Sequence, residues 1–410
     1  MSLKLSKISI AVMSVLFAGG AVAADVQQQD NGKQNNAAGV INAGGFEIRP
    51  TLSLAIGKND NVGLANGALA AKTSSNFTKL SPKIVVEMPT QGQVYSATYS
   101  GIYTNYSSSS VDNFNDHNFG LAAKNDWSTR VNSLINVDYN KGHDGRNALG
   151  IVNNGFKQLW HTTGLKGMVH YGADGAQGQF ELTAGQVAKR YDTNNGGTGT
   201  SLMDNDATNL MGAFFYKVAP ATHMIFQAGT TKISYRVAPV LAINNRDSTE
   251  NQYMVGVKWD ATAKTSGSFK IGKVNKTFSL GAQPSATNTA WDAAVTWSPL
   301  TYSVVNASLS QKAAESFGTG SFMVSRDSNV DWTHGWSNYI KSKLSFGDGV
   351  DTYQAVNQVN KRQTYGAKLS YEVNRWLNAG VEYQNTKRNS TNPVLTYTQN
   401  ITMLVLDGTL

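Results

Sequence analysis

The sequence predicts an all-β fold, a transmembrane up-and-down antiparallel β-barrel of about 18 strands. Three observations support this prediction. Apolar and polar residues alternate in short segments along most of the chain, short and long polar connections take turns between these segments, and the chain begins with a segment typical of exported proteins. After that segment no apolar run is long enough to form a transmembrane helix, whereas membrane strands need none.

The alternation has a period of two residues, which places successive side chains on opposite faces of a sheet. In GFEIRPTLSLAIG, residues 45–57, the apolar side chains share one parity and Glu47, Arg49, Thr51 and Ser53 share the other. The segments 130–140 and 251–260 alternate in the same way. Segments of about ten residues fit tilted membrane strands. Many end in Tyr or Trp, as at an interfacial girdle.

Short and long connections follow one another, as in barrels with short periplasmic turns and long outer loops. The short connections are predicted at residues 89–92, 125–126, 172–177, 218–222, 261–267, 298–301, 335–338 and 374–375. The long ones are predicted at residues 58–67, 107–115, 142–150, 191–209, 238–250, 282–288, 313–321, 351–360 and 390–395. An even strand number places both ends of the barrel strands on the periplasmic side.

The N-terminal segment predicts export. Lys4 and Lys7 precede and flank an apolar run, Ile8–Ala23, that ends in the small-x-small sequence Ala21-Val22-Ala23. This pattern is typical of a secretory signal peptide rather than a membrane anchor. We therefore expect a signal peptide at 1–23, a flexible periplasmic segment at 24–43 and a barrel at 44–410, integral to the bacterial outer membrane after signal peptide removal.

Composition excludes several classes of site. The chain has no cysteine, so disulfide scaffolds, thiolate metal sites and thiol catalysis are excluded. Its net charge of +8 is spread along the sequence, and we expect no nucleic-acid partner. None of the six histidines forms H-x-x-x-H or H-E-x-x-H, and there is no G-x-S-x-G. We expect no cofactor and no metal, and not an enzyme, although a serine, histidine and acid assembled across strands stays possible.

GSFKIGKV, Gly267 to Val274, contains the first seven positions of a phosphate-binding P-loop. A P-loop needs Ser or Thr after its lysine and a helix after that. Here Val274 follows Lys273, and the alternation predicts a strand throughout. We therefore assign Lys270 to the lumen rather than to a nucleotide.

The parity opposite to the apolar side chains carries mixed charge and identifies candidate lumen-facing residues. These are Arg49, Lys83, Arg130, Asp138, Lys258, Asp260, Lys270, Lys341, Lys343, Lys368, Glu372 and Glu382. Two interpretations stay open. A slightly basic lumen would favour anionic solutes by focusing the field, or opposite charges would pair across strands and fill the lumen.

Several stretches resemble a known family of outer-membrane β-barrels, the second β-barrel porin family, found in capsular and exopolysaccharide gene clusters. They are Lys79–Tyr106, Asn132–Arg146 with its His-acid-x-Arg end, Tyr253–Val274, Thr289–Gln311, and Tyr365–Ser390 with its Asn-Arg-Trp turn. The similarity covers most of the mature chain. Its motifs are turn and girdle residues, which identify the fold and family but no binding site.

The resemblance implies an outer-membrane channel that exports extracellular or capsular polysaccharide, as part of capsule or biofilm formation. It implies as partners the polysaccharide, a periplasmic polysaccharide export protein and an inner-membrane co-polymerase, beside outer-membrane lipid and lipopolysaccharide. A general or solute-selective diffusion porin is the alternative, for which an inward-folded constriction loop would be a sign, with Tyr191 to Asn209 as the candidate. A barrel-embedded hydrolase is a third possibility.

Overall fold

The computed structural model describes residues 39–146, 156–192, 200–237, 245–262, 264–279, 283, 285–316 and 320–409. The predicted signal peptide and most of the predicted lead-in, residues 1–38, lie outside these ranges. In the described part of the chain, no helix has both the length and the apolar character needed to cross a membrane. Regular structure in these ranges is almost entirely β.

The described residues form nineteen strands. Their bounds are β1 Ile41–Ala43, β2 Phe46–Asn59, β3 Ser75–Thr90, β4 Gln93–Tyr106, β5 Phe114–Asp126, β6 Val131–Asp144, β7 Gln158–Tyr171, β8 Gly178–Asp192, β9 Asn205–Ala219, β10 Thr222–Tyr235, β11 Ser248–Thr262, β12 Thr265–Phe278, β13 Ala286–Leu300, β14 Ser303–Ala314, β15 Met323–Gly335, β16 Ile340–Tyr353, β17 Val359–Asn374, β18 Leu377–Ser390 and β19 Tyr397–Thr409. Short 3₁₀ turns occur at Ser110–Asp112, Thr200–Met203 and Pro393–Leu395.

Strands β2 to β19 form a closed antiparallel barrel. Each strand pairs with the next, and β19 pairs with β2, for example Val405 opposite Ala55. The prediction of an all-β barrel with about 18 strands is therefore confirmed. The short connections lie at one end, here called the turn end, and the long ones at the other, the loop end.

Strand β1 extends the ordered structure beyond the predicted barrel boundary at Gly44. It pairs with β2 through Ile41 opposite Ile48 and Ala43 opposite Phe46. Gly44 and Gly45 make this hairpin turn with φ of 58° and 89°, the left-handed region that two-residue hairpins need and that glycine adopts without a steric penalty. Because β19 ends opposite Thr51, β1 covers the part of β2 that β19 leaves unpaired.

The two faces of the barrel wall differ as the period of two predicts. Cross-strand partners share a face, and nearly all exposed large apolar side chains of the barrel strands fall on one of them, such as Leu52, Leu80, Val255, Leu369 and Leu404. Only an outward, lipid-facing surface accounts for so much exposed apolar area on a closed barrel. The opposite parity, which carries Lys270 and Lys276 at 4% and 0% exposure, therefore faces the lumen.

The barrel strands are longer than the predicted ten residues and run from 12 to 16. The outward-facing side chains explain why the strands are longer than predicted. In β2 the outward side chains are apolar from Phe46 to Ile56 and then change to Lys58. The other strands become polar at their loop-end parts as well, so the strands continue past the lipid-facing band into water.

Aromatic side chains cluster at the turn end. Trp127 and Trp336 begin two turns of the same construction, in which the Trp backbone N–H donates to Val131 O or Ile340 O at 2.9 Å. The indole N–H of each Trp also donates to a strand serine, Ser133 at 2.8 Å and Ser342 at 2.9 Å. Exposed indoles with a hydrogen-bonded N–H are what an interfacial girdle requires.

This turn corrects the prediction for Arg130. The sequence predicts the connection at residues 125–126, which would put Arg130 on a strand, facing inward. Asn125 and Asp126 instead end β5, and Arg130 lies exposed in the turn 127–130. The reason is the Trp-Ser start of the turn, since Ser128 Oγ accepts the Val131 N–H at 3.1 Å and so delays the start of β6.

The GSFKIGKV stretch lies within β12, Thr265–Phe278, with no helix after it. Lys270 faces inward opposite Gly256 and Asp292, and Ile271 faces outward at 42% exposure. The resemblance to a P-loop therefore comes from strand alternation.

We predict that an arginine on the outward face destabilises the barrel, whereas one at the next residue does not. Leu369 faces outward and Ser370 faces the lumen. Leu369→Arg should lower the free energy of unfolding in lipid vesicles by about 2–4 kcal/mol, because its charge enters the hydrocarbon. Ser370→Arg is the matched control, expected to cost far less. Equal losses for both variants would contradict the face assignment.

Candidate transport pathway: the lumen and its outer mouth

The candidate lumen residues lie on the inner wall, apart from Arg130. They are Arg49 on β2, Lys83 on β3, Asp138 on β6, Lys258 and Asp260 on β11, Lys270 on β12, Lys341 and Lys343 on β16, Lys368 and Glu372 on β17, and Glu382 on β18. The register brings Lys343 opposite Lys368, and Lys368 opposite Glu382. It does not bring the whole set to one site, since the positions are distributed around the barrel.

Several inner charges pair with a neighbouring strand. Arg49 contacts both Glu47 and Glu87. Lys270 lies 3.6 Å from Asp292, and Lys368 lies 3.0 Å from Asp407. Lys343 and Asp331 are also paired, at 3.6 Å. Paired opposite charges cancel much of each other's field at a distance, so these residues supply little net potential to the lumen.

Other candidates have no ion pair among the described residues. Lys83, Lys258 and Lys341 are the basic ones, and Asp260 and Glu372 are the acidic ones. Both signs occur in this group as well. Asp138 accepts a hydrogen bond from the Asn140 side-chain amide at 3.0 Å. The inner wall therefore combines both sequence interpretations, paired charges and a few unpaired ones of mixed sign.

The inner wall has further charged residues that the sequence analysis did not include. They include Asp116, Lys166, Glu181, Lys189, Glu250, Lys276, Lys312, Asp327, Asp331, Asp351, Arg362, Arg388 and Asp407. Most lie in the loop-end halves of their strands, and a predicted strand of ten residues does not extend that far. The same parity rule, continued four residues further along each strand, would have found them.

Two facing parts of the inner wall are rich in uncharged polar side chains, beside a few charged ones such as Asp138 and Asp331. On β4 to β6 the inward side chains include Ser96, Thr98, Ser100, Asn118, Asn136 and Asn140. On β13 to β15 they include Thr296, Asn306, Ser308, Ser310 and Asn329. Strands β4 and β13 are nine apart in a barrel of eighteen, so these walls lie opposite each other. Their hydroxyl and amide groups can donate and accept hydrogen bonds to a polar solute.

A recess of 230 Å³ opens at the first of these walls. Its lining includes Ser96, Thr98, Gly120, Asn136 and Asp138. An added Cβ at Gly120 would meet nothing within 4 Å, so the missing side chain leaves this space open. Leu121, Ala122 and Val137 complete the lining, so the recess combines apolar groups with hydrogen-bonding groups and one carboxylate.

An apolar cluster narrows the loop end of the lumen. It joins buried Tyr191 on β8 and Met203 of the connecting loop to Ala314, Met323 and Tyr353 on β14 to β16. Strands β8 and β15 are seven apart in the barrel, so the cluster reaches from one wall towards the opposite wall. Part of the loop Tyr191–Asn209, the predicted constriction candidate, thus lies inside the outer mouth.

Polar contacts hold this loop in place. Arg246 donates to Leu202 O at 3.0 Å and to Ser316 O at 2.7 Å, and so ties together three outer loops. At the loop's end, the Asp204 carboxylate accepts the Tyr191 backbone N–H at 2.8 Å. Partial burial raises the pKa of this Asp204 carboxyl, although that hydrogen bond and Arg190 both favour its charged form.

A fully buried lysine supports the same region. Lys276 Nζ lies 2.8 Å from Glu250 Oε1 and 2.5 Å from Glu315 Oε1. Glu315 also accepts the phenolic O–H of Tyr235. Because Glu315 belongs to the β14–β15 loop while Lys276 and Glu250 lie on β12 and β11, this network anchors that loop to the barrel wall.

The His-acid-x-Arg segment after β6 ties neighbouring outer loops together. His143 Nδ1 lies 3.0 Å from Asp116, and Arg146 binds both carboxylate oxygens of Asp112, at 2.9 and 2.6 Å. The Tyr191 hydroxyl donates to Asp144 at 3.2 Å. The motif behind the family resemblance therefore positions loops around the outer mouth.

The histidines bear on the possibility of a catalytic or metal-binding site. His143 and His161 each contact an aspartate, Asp116 and Asp192. Within the described ranges neither ring has a serine hydroxyl as hydrogen-bond partner, and no group of three or more His, Asp or Glu side chains could hold a metal ion.

The sequence matches a family model over residues 35–408, nearly the whole of the predicted mature chain. The family is described as "Putative beta-barrel porin 2". The chain belongs to this family. It is a porin-like channel of the outer membrane, so the turn end is periplasmic and the loop end is the outer mouth. No curated protein matches the sequence.

Solved structures with a similar fold are distant in sequence. A BenF-like porin from Pseudomonas fluorescens Pf-5 has 10% identity and a TM-score of 0.47, covering 88% of this chain and 99% of its own. OccAB3 of Acinetobacter baumannii has 9% identity and a TM-score of 0.46, with the same coverage. The FrpB iron transporter of Neisseria meningitidis (F3-3 variant) has 12% identity and a TM-score of 0.44 over 83% of this chain. This chain spans 62% of that transporter, and at such identities the likeness concerns the fold alone.

We predict that shortening Met203 opens the outer mouth. Truncation of a buried Met to Ala costs about 2–5 kcal/mol of local packing, so Met203→Ala should raise single-channel conductance or open probability several-fold in planar bilayers. Leu202→Ala is the matched control, because Leu202 is adjacent but 43% exposed. If Met203→Ala conducts like the wild type, the apolar cluster does not limit conduction.

We predict that Lys276→Met destabilises the outer end of the barrel by about 3–5 kcal/mol, because it leaves two largely buried glutamates without their cation. Unfolding by urea from lipid vesicles measures this loss. The triple variant Lys276→Met, Glu250→Gln, Glu315→Gln removes all three charges and should recover most of it. A triple variant as unstable as the single one would show that packing, not charge, is responsible.

Proposed function

We propose that this channel exports an extracellular or capsular polysaccharide across the outer membrane. The pair of opposed walls on β4–β6 and β13–β15, rich in amide and hydroxyl side chains, supports the proposal best. A hydrated sugar chain carries hydroxyl groups all along its length and can exchange hydrogen bonds with amide and hydroxyl side chains without a strong site that would hold it. Family membership adds the context of an outer-membrane porin.

Charge on the inner wall is consistent with such a solute. The pairs Arg49 with Glu47 and Glu87, Lys270 with Asp292 and Lys368 with Asp407 neutralise one another. A polymer that slides past balanced charges meets no deep electrostatic well, which favours release as well as entry. Within the described residues the P-loop-like stretch lies in strand β12. We propose that polymerisation and an inner-membrane co-polymerase drive transport, with a periplasmic export protein delivering the polysaccharide.

The outer mouth then acts as the gate. In this proposal the apolar cluster around Met203, here called the Met203 cluster, opens when polymer arrives from the periplasm. The loops joined by Arg246 then move apart. Apolar contacts suit a gate because they exclude water and ions when closed but bind a passing sugar weakly. We also propose that residues 1–23 are removed as a signal peptide when the protein itself is secreted to the outer membrane.

A diffusion porin for small solutes is the second candidate. One observation favours it, since part of the loop 191–209 folds into the mouth and narrows it, as a constriction loop does. A barrel-embedded hydrolase has no comparable observation behind it.

The test compares polymer outside the cell with polymer retained in the periplasm, in a strain lacking this protein. We expect surface polymer to disappear while growth on small solutes stays normal, and the wild-type gene to restore export. Unchanged polymer output together with altered uptake of small solutes or antibiotics would reject export and support the diffusion porin.

Two glycine variants test whether the polysaccharide passes along the inner wall of the lumen. Gly120→Phe fills the recess between Thr98 and Asp138 and should reduce export several-fold in the complemented strain. Gly167→Phe is matched, because Gly167 also has nothing within 4 Å of an added Cβ but faces lipid on β7. Full export by Gly120→Phe would contradict passage along this wall.

A further inference from the structure

The outward face of the barrel carries its charges at one end only. Among described strand residues, every outward-facing Lys, Arg, Asp or Glu lies in the outer, loop-end part of its strand. The basic ones are Lys58, Lys141, Arg190, Lys232, Lys273, Arg326, Lys361 and Lys387, and the acidic ones are Asp192, Asp206 and Asp348. Arg190 is paired with Asp206. The excess of positive charge thus forms a ring around the barrel just beyond the lipid-facing band.

The ring is densest on β15 to β18. Arg326 lies opposite Val350, and Val350 lies opposite Lys361, so the first and last are two strand spacings apart, about 10 Å. Lys387 is the diagonal neighbour of Lys361, since Gln363 is opposite Lys387, and such neighbours are about 7–8 Å apart. We call Arg326, Lys361 and Lys387 the basic patch.

The basic patch is exposed and uncompensated. All three side chains are exposed, and none has an ion pair or side-chain hydrogen bond among the described residues. Asp348 is the acidic side chain on this part of the surface, opposite Ser328 and Gln363, so the positive charge exceeds the negative. Such charges next to one another repel, and an anion placed between them is stabilised.

The depth of the patch specifies what kind of anion it meets. Along the same strands, the next outward row towards the membrane centre is polar, with Ser328, Asp348 and Gln363. Beyond it the outward side chains are apolar or aromatic, with Val330, Phe346, Tyr365 and Tyr383 exposed to lipid. Lys361 and Lys387 each lie four residues along the strand, about 13 Å, beyond Tyr365 and Tyr383. The patch is therefore at the height of the headgroups in the outer leaflet, where phosphorylated glycolipid is found.

We propose that the basic patch binds the phosphate groups of lipid A, the phosphorylated glycolipid of the outer leaflet. The acyl chains lie along the apolar rows of β15 to β18, and the glucosamine phosphates contact Arg326, Lys361 and Lys387. This site is on the outside of the wall and does not depend on what passes through the lumen.

The test measures lipid A bound to the purified full-length barrel in detergent by native mass spectrometry, with bisphosphoryl lipid A as the probe. The variant Arg326→Gln, Lys361→Gln, Lys387→Gln should bind it at least about tenfold more weakly, since each basic residue at a charged membrane surface contributes appreciably. Phosphatidylethanolamine should bind both proteins alike. The variant Arg326→Lys, Lys361→Arg, Lys387→Arg keeps the charges and should retain most of the affinity.

The control removes the same charge elsewhere, in Lys72→Gln, Arg130→Gln, Arg375→Gln, whose three residues are exposed on loops and turns. Affinity within twofold of wild type for the patch variant, or an equal loss for the control, would overturn the proposal. Folding is judged by electrophoresis of unheated samples, in which a folded barrel migrates differently from an unfolded one. If the patch variant does not fold, binding of lipid A is measured for Asp348→Asn instead. Several-fold tighter binding by Asp348→Asn supports the site, and unchanged or weaker binding rejects it.

Discussion

The hydrogen-bonding requirement of the backbone in lipid is the constraint on which the rest of this structure depends. No water is available in the hydrocarbon region to satisfy an unpaired N–H or C=O, so a sheet that crosses it must close on itself. Pairing of β19 with β2 closes the barrel, and β1 covers the segment of β2 that β19 does not reach. Once the sheet is closed, each residue has only two environments, lipid or lumen, and the period of two assigns them.

The lumen follows from this division because it receives the polar parity of eighteen strands. Charges crowded there are stable when they pair, as Arg49 does with Glu47 and Glu87 and as Lys276 does with Glu250 and Glu315. The cost of leaving water rises with burial, so the fully buried Lys276 has two carboxylate partners while half-exposed Lys83 has none among the described residues. The neutral stretches between these pairs are the parts of the wall that a polar polymer can follow.

Function also depends on the difference between the two ends of the barrel. The periplasmic end has compact turns such as Trp127–Arg130, whose geometry is set by local Ser and Trp hydrogen bonds. At the outer end, strands continue beyond the membrane and loops interlock through Arg146, Arg246 and the Met203 cluster. In the proposed function the gate is at the outer end, and the same extension of the strands carries the exposed basic side chains Arg326, Lys361 and Lys387 beyond the lipid-facing band.

The amino-acid sequence by itself determined the barrel class, the strand number, the alternation of turns and loops, and the face of Lys258, Lys270 and Glu382, because periodicity and turn residues are local properties. The alternation predicted the wrong element for Arg130. The hydrogen bond from the Val131 N–H to Ser128 Oγ, which extends the turn after Trp127, does not change the pattern of apolar and polar residues. Only the tertiary structure decided which charges meet and that Met203 lies in the mouth. Those facts depend on register and on contacts between strands far apart in sequence, such as Lys276 with Glu315 and Tyr191 with Tyr353, which no local pattern encodes.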